Sequence, residues 1–100
     1  MIKHIVAWRF KDEALGSTKA ENLLRAKEAL ESLRGIVPGL LHLEAGIDVR
    51  AASDPWDIAL YSEFDSRDSL NAYQTHPEHV KVAGLIAEMR EARAAVDYEA

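Results

Sequence analysis

The residues best equipped for chemistry sit in one short stretch, Tyr73-Gln74-Thr75-His76-Pro77-Glu78-His79. Pro77 has no N–H to lose and a fixed φ, so it suits the first position of a helix, with His76 just before it. His79 then falls in the first helical turn. A helix N-terminus carries partial positive charge and disfavours imidazolium. A neutral imidazole accepts a proton, so His79 can serve as a general base. Tyr73 ends the preceding helical turn, and its hydroxyl can donate to a carbonyl oxygen that gains charge as an enolate forms. Base plus oxyanion donor is the minimum equipment for removing a proton beside a carbonyl. The same residue types also serve structure alone. A His at a helix start often only caps it, as His76 is expected to do, and a Tyr at a helix end often buries its ring and bonds a backbone carbonyl.

Other chemistry has weaker support. His76 and His79 are spaced i,i+3 around Glu78, whereas the familiar zinc pair is i,i+4 on one helical face. His76 precedes the helix while His79 lies inside it, and the chain has no Cys, so no metal is expected. Asp97 reads as a catalytic acid or, more simply, as the partner of a cation such as Lys3 or Arg9. A Gly-rich phosphate loop, a Ser-His-Asp pattern and paired carboxylates at this segment are not visible.

The elements that must position these residues follow from periodicity. Ile2 to Phe10 alternates, with His4, Val6, Trp8 and Phe10 on one face and Lys3, Ile5, Ala7 and Arg9 on the other. Lys11 to Ser17 reads as a loop. Thr18 and Glu21 form a capping box for a helix to Arg34, whose stripe is Ala20, Leu23, Leu24, Ala26, Leu30 and Leu33. Gly35 ends it, and Pro38-Gly39 turns the chain. Leu41, Leu43, Ala45, Ile47 and Val49 alternate in a second strand. Ser53-Asp54-Pro55 is a turn cluster, and Ile58 to Phe64 a third strand. Ser66 caps a short helix to about Tyr73. The helix opened by Pro77 runs to Met89, and Ala94 to Glu99 closes the chain as a strand.

The order β-α-β-β-α-β builds an α+β domain with a four-stranded antiparallel sheet and helices on one face, the ferredoxin-like arrangement. If the His4 face meets the helices, His4 points into a cavity beside Tyr73 and His79, walled by Val6, Trp8, Leu24 and Leu60. The opposite face then carries Ile5, Ala7, Leu40, Ala59, Tyr61 and Ala95 among Lys3, His42, Glu44 and Glu63. That mixture is too apolar for open solvent and too polar for a dry core, so a second copy's sheet is expected to cover it.

Composition narrows the partners. The 100 residues fit one domain over 1–100. A chain of this size buries on the order of two-thirds of its unfolded surface. The net charge is -5, and its basic residues are scattered, so nucleic acid is not expected. No apolar run approaches the ~20 residues that span a bilayer, and the alternating first residues do not read as a signal peptide. With no Cys, a reducing, cytoplasmic setting is the expectation.

Several segments together are similar to the stress-responsive A/B barrel (Dabb, dimeric α/β-barrel) family. They are Lys3-His4-Ile5-Val6 with Phe10-Lys11, Val37-Pro38-Gly39, Gly46-Ile47-Asp48, Asp57 to Phe64, Leu70 to Val80 and Val96-Asp97-Tyr98. Most specific is the Tyr-x-x-His-Pro-x-His segment. The resemblance implies a ferredoxin-like protomer and a homodimeric barrel. The family includes a polyketide cyclase activity, an intramolecular aldol-type closure without cofactor. Its catalytic Tyr and His match Tyr73 and His79, and its first-strand His matches His4. The enzyme reading is thus a cofactor-independent lyase or cyclase on a carbonyl compound, with a cofactor-free monooxygenase as a variant. The alternative is a dimeric, stress-linked or ligand-binding protein without turnover, holding a small apolar ligand.

Overall fold

A computed structural model describes residues 1–50 and 55–100. Of the expected turn cluster, Ser53 and Asp54 lie outside the described residues. The first strand, β1 (Ile2–Phe10), follows its alternation: Ile2, His4, Val6, Trp8 and Phe10 are buried, and the residues between them are half-buried. Two short strands follow, β2 (Glu13–Ala14) and β3 (Ser17–Thr18), in the stretch expected to be a loop. Their turn passes through Leu15 and Gly16 at φ 54° and 75°. Tight hairpins need positive φ at both central residues, which Gly supplies freely and Leu rarely does.

Helix α1 (Lys19–Glu31) begins at the capping box, with the Glu21 N–H donating to Thr18 Oγ1 and the Thr18 N–H to the Glu21 carboxylate. Its α-type bonding stops before Arg34. Leu33 and Arg34 instead donate to Leu30 and Glu31, and Gly35 at φ 77° reverses the chain. Leu23, Ala26, Leu30 and Leu33 pack on the sheet. Lys27 ties the helix to the next strand by bonding both Glu31 and the Ala45 carbonyl. That ammonium, first among several causes, holds the Glu31 carboxyl below the usual carboxylate range.

Strands β4 (Leu40–Ile47) and β5 (Ile58–Phe64) pair antiparallel. β4 stops short of Val49, which is 96% exposed, and carries an irregularity between Leu40 and His42. Leu40 opposes Phe64 and packs on the core, while the extra residue, Leu41, turns outward. Such a bulge leaves no mark in the alternation that suggested Leu41 for the core face.

Helix α2 (Arg67–Thr75) is capped by Ser66, and α3 (Pro77–Met89) by His76, whose Nδ1 accepts from the Glu78 N–H. Ser69 of α2 hydrogen-bonds the Asp65 carboxylate close against Gly39, where any Cβ would collide with the Ser69 side chain. That contact fixes where α2, and with it Tyr73, starts. The last strand, β6 (Arg90–Glu99), begins directly after α3, four residues earlier than its alternation suggests.

The sheet order is β4-β5-β1-β6, all antiparallel, with the helices on one face: the ferredoxin-like α+β fold. Register decides which residues share a face. Val6 opposes Ala95 and His4 opposes Asp97, so Ala95 and Asp97 lie on the helix side. Ala95, like Leu40, therefore leaves the open face assigned to it from sequence. Its neighbours Val96 and Tyr98, opposite Ile5 and Lys3, take that place at 54% and 44% exposure. No helix among the described residues is long and apolar enough to cross a membrane.

Candidate active site

Three elements converge on the helix side of β1. The strand alternation turns His4 inward, and α2 ends at Thr75 so that Tyr73 packs onto the sheet. Pro77 starts α3 with His79 in its first turn. The Tyr73 ring centroid lies 4.6 Å from that of His79, 5.1 Å from Phe64 and 6.4 Å from His4. Beside this cluster is a cavity of about 110 Å³, walled by His4, Val6, Trp8, Leu60, His79 and Ile86 among others.

His4 is buried, and its Nδ1 donates to the Asp97 carboxylate. A carboxylate on Nδ1 fixes the tautomer and the ring orientation, leaving Nε2 for other work. Asp97 thus pairs with His4 rather than with Lys3 or Arg9, because strand register sets those cations elsewhere: Lys3 opposes Tyr98, and Arg9 stacks on Trp56 at 5.0 Å.

His79 is half-buried. Its Nδ1 donates to the Gln74 carbonyl at 3.1 Å, since a carbonyl can only accept. The ring's other nitrogen, Nε2, is therefore the basic one. Burial is the main cause that pushes the imidazole below its ordinary pKa. The carbonyl bond works against it, and the charges of His4 and Arg93 add to it. His79 is accordingly neutral at neutral pH, the state a base requires.

Tyr73 is fully buried, and among the described residues its hydroxyl has no hydrogen-bond partner. Burial pushes its phenol up to about 12, so it stays a donor. Its ring meets His4 edge-on and His79 at a tilt of 57°, but it is not among the residues that line the cavity. Tyr73 thus lies beside the cavity, its ring among those of His4, Phe64 and His79.

Of the expected apolar wall, Val6, Trp8 and Leu60 are in place. Leu24 is not: it is 65% exposed on α1 and absent from the cavity. The stripe Leu23, Ala26, Leu30 and Leu33 fills the buried face, and the residue after Leu23 falls about 100° round the helix from it. Leu30 takes the place given to Leu24. Sequence reasoning also missed Gln74, Val82, Ala83, Ile86, Arg90 and Arg93. The i,i+3 and i,i+4 spacing of His79, Val82, Ala83 and Ile86 was a usable signal for the α3 face. Nothing local marked the arginines, since they face the cavity only through the start and register of β6.

His76 and His79 do not converge, for each Nδ1 is bonded to a different backbone group. Among the described residues no group of three His, Cys, Asp or Glu is placed to hold a metal ion.

The family model described as the stress responsive A/B barrel domain matches residues 2–100. A dimeric protein of unknown function with a ferredoxin-like fold, from Bacteroides fragilis, is 39% identical with a TM-score of 0.86, over 99% of this chain and 95% of that one. A dimeric ferredoxin-like protein of unknown function from Thermobifida fusca is 29% identical with a TM-score of 0.86, over 99% of this chain and 90% of that one. A stress-response A/B barrel domain-containing protein from Arabidopsis thaliana is 31% identical over 98% of this chain, which spans only 46% of the plant protein.

Proposed function

This chain belongs to the stress responsive A/B barrel family, and from that premise we propose that it is a homodimeric, cofactor-independent lyase or cyclase acting on a small carbonyl compound. The observation that carries the reading is His79: a neutral imidazole on the cavity wall whose Nδ1–H is bonded to Gln74, leaving Nε2 basic.

In this reading Nε2 of His79 removes a proton from the carbon next to a carbonyl. The carbonyl oxygen gains negative charge, and the unpartnered hydroxyl of Tyr73, buried against His79 just behind the cavity lining, donates to it once the lining yields to the substrate. The enolate carbon attacks a second carbonyl of the same molecule and forms the carbon–carbon bond. The new alkoxide takes a proton back from the His79 imidazolium, so the addition balances without a cofactor. His4, oriented by Asp97, presents Nε2 as an acceptor for the hydroxyl that forms on the product. Val6, Trp8 and Leu60 exclude water.

Residues 1–100 act as one domain in this reading, in the cytoplasm. The dimer is supported by the relatives described as dimeric and by the open sheet face, where Ile5, Val96 and Tyr98 lie with exposed or half-buried side chains.

A second reading, ligand binding without turnover, is favoured by the cavity's modest size and by Tyr73's place outside its wall. Heptane-2,6-dione, which closes to a six-membered ring by this reaction, separates the two. Proton NMR in deuterium oxide follows both exchange beside its carbonyls and ring closure. His79→Ala is expected to slow exchange by about 10²-fold or more, and Tyr73→Phe by about 10²-fold. Tyr73→Phe is also expected to fold at least as stably as the parent, since it removes a buried hydroxyl without a partner. Exchange and closure at parental rates in both variants would sink the catalytic reading.

A further inference from the structure

The cavity's charged lining runs against the character of the chain. The protein is acidic overall, at net charge -5. Yet the cavity has no carboxylate among its lining residues, and its two permanently charged groups are Arg90 and Arg93. Arg90, half-buried, caps the end of α3 with its backbone N–H and opens β6. Arg93 sits opposite Trp8 in the register, which places it on the helix side of the sheet. It is exposed, so it marks where the cavity meets solvent.

Neither guanidinium has an ion-pair or hydrogen-bond partner among the described residues, although Glu88 and Glu91 are close in sequence. Among the described residues Lys3, Arg9, Lys11, Arg25 and Arg67 also lack ion pairs, but none of them lines this cavity, and other surface cations are paired. Lys27 and Arg34 both pair with Glu31, Lys19 with Asp12 and Asp57, and Lys81 with Glu78. Two guanidiniums without partners on one cavity that has no carboxylate in its lining suit an anionic group, and a carboxylate can take two parallel N–H bonds from one arginine.

We propose that this cavity selects an anionic substrate, a small oxo acid whose carboxylate is held by Arg90 and Arg93 while its carbonyl end reaches His4 and His79. The inference rests on the reading of this cavity as the substrate site, and it narrows the substrate from any carbonyl compound to one with a carboxylate a few bonds from the reacting carbon. The volume agrees. A cavity of about 110 Å³ has room for the carbonyl end of a short oxo acid, with its charged end at the rim. It also gives the arginines a task in binding that is separate from the proton transfer at His79.

The test compares two probes of equal heavy-atom count, 5-oxohexanoate and heptane-2,6-dione, which differ in a carboxylate against an acetyl group. Binding is followed by chemical-shift titration of the intact protein at low and high salt, with no turnover needed. The anion is expected to bind about tenfold or more tightly than the dione, and less tightly as salt rises. Arg93→Gln and Arg90→Gln are each expected to lower anion affinity about tenfold and leave dione affinity unchanged. Arg25→Gln, on the outer face of α1, changes neither. Arg93→Lys keeps the charge without the fork and is expected to recover part of the loss, which separates recognition from misfolding. Equal binding of both probes overturns the proposal. So does anion binding indifferent to both arginine substitutions, or substitutions that alter sedimentation and not binding, which would give the arginines to a second copy's carboxylate. None of these results bears on His79, whose failure is read from exchange of the dione alone.

Discussion

The two faces of this sheet are built from alternate residues of the same strands, yet they treat polar groups in opposite ways. On the helix side each buried polar group has a specific partner: His4 with Asp97, and the Ser62 hydroxyl with the His4 carbonyl at 3.0 Å. Among the described residues the exception is the Tyr73 hydroxyl. On the open side the partners are near neighbours on one strand. Tyr61 donates to Glu63 on β5 and His42 pairs with Glu44 on the adjacent β4, while Ile5, Val96 and Tyr98 lie on the other half of the face, on β1 and β6. The Glu63 bond is the first cause that raises the Tyr61 phenol above its ordinary value. A buried polar group without a partner costs free energy, and here that cost falls on a hydroxyl packed among aromatic rings next to the cavity. A face of apolar residues laced with exposed ion pairs is suited to a partner that supplies the missing cover.

The contrast can be broken first at its stable side. Phe64 is fully buried between the sheet and Tyr73, so Phe64→Ala is expected to cost about 3–5 kcal/mol in urea unfolding. A loss below about 1 kcal/mol would mean that the helix side is not the core. The open side is expected to respond in assembly instead. Val96→Asp puts a charge opposite Ile5, and sedimentation is expected to shift from dimer to monomer while far-ultraviolet circular dichroism is unchanged. A dimer that survives this substitution would move the interface elsewhere.

The smallest effect is pH. Burial depresses His79 below its ordinary value of 6.5. As pH falls through 6.5, the unfolded chain therefore takes up a proton that the folded chain resists. The stability tied to this group is full above 6.5 and is lost as pH drops towards the folded value. Urea midpoints measured above and below that pH are expected to fall less in His79→Gln than in the parent. Equal slopes would place His79 in water. The base function has the opposite sense, since a depressed value keeps Nε2 unprotonated further into acid.

The fold was legible where a residue's neighbours in sequence are its neighbours in space. The Thr18–Glu21 box, the Ser66 and His76 caps and the Pro77 start concern groups within four positions of one another, and β1 kept its alternation over its whole length. Misplacements came where one local irregularity redirects everything after it. The extra residue at Leu41 moved Leu40 to the other face, since a shift of one residue reverses every side chain beyond it, and Ala95 was misplaced because its larger neighbours Val96 and Tyr98 read as the inward pair, whereas the register with β1 turns them to the open face. Leu24 went wrong for a related reason: the apolar arc of α1 is wider than the strip that touches the sheet, and only the docking angle selects which leucines are used.

The sequence by itself determined the element order, the caps and the residue types of the candidate site. These rest on spacing, on backbone geometry at Pro and Gly, and on the chemistry of imidazole and phenol. The tertiary structure decided the pairings that cross between elements: Asp97 with His4, the Gln74 carbonyl with His79, and Arg90 and Arg93 with the cavity. Those depend on register and helix docking, which place atoms far apart in the chain within a few ångströms of one another, and no local pattern records them.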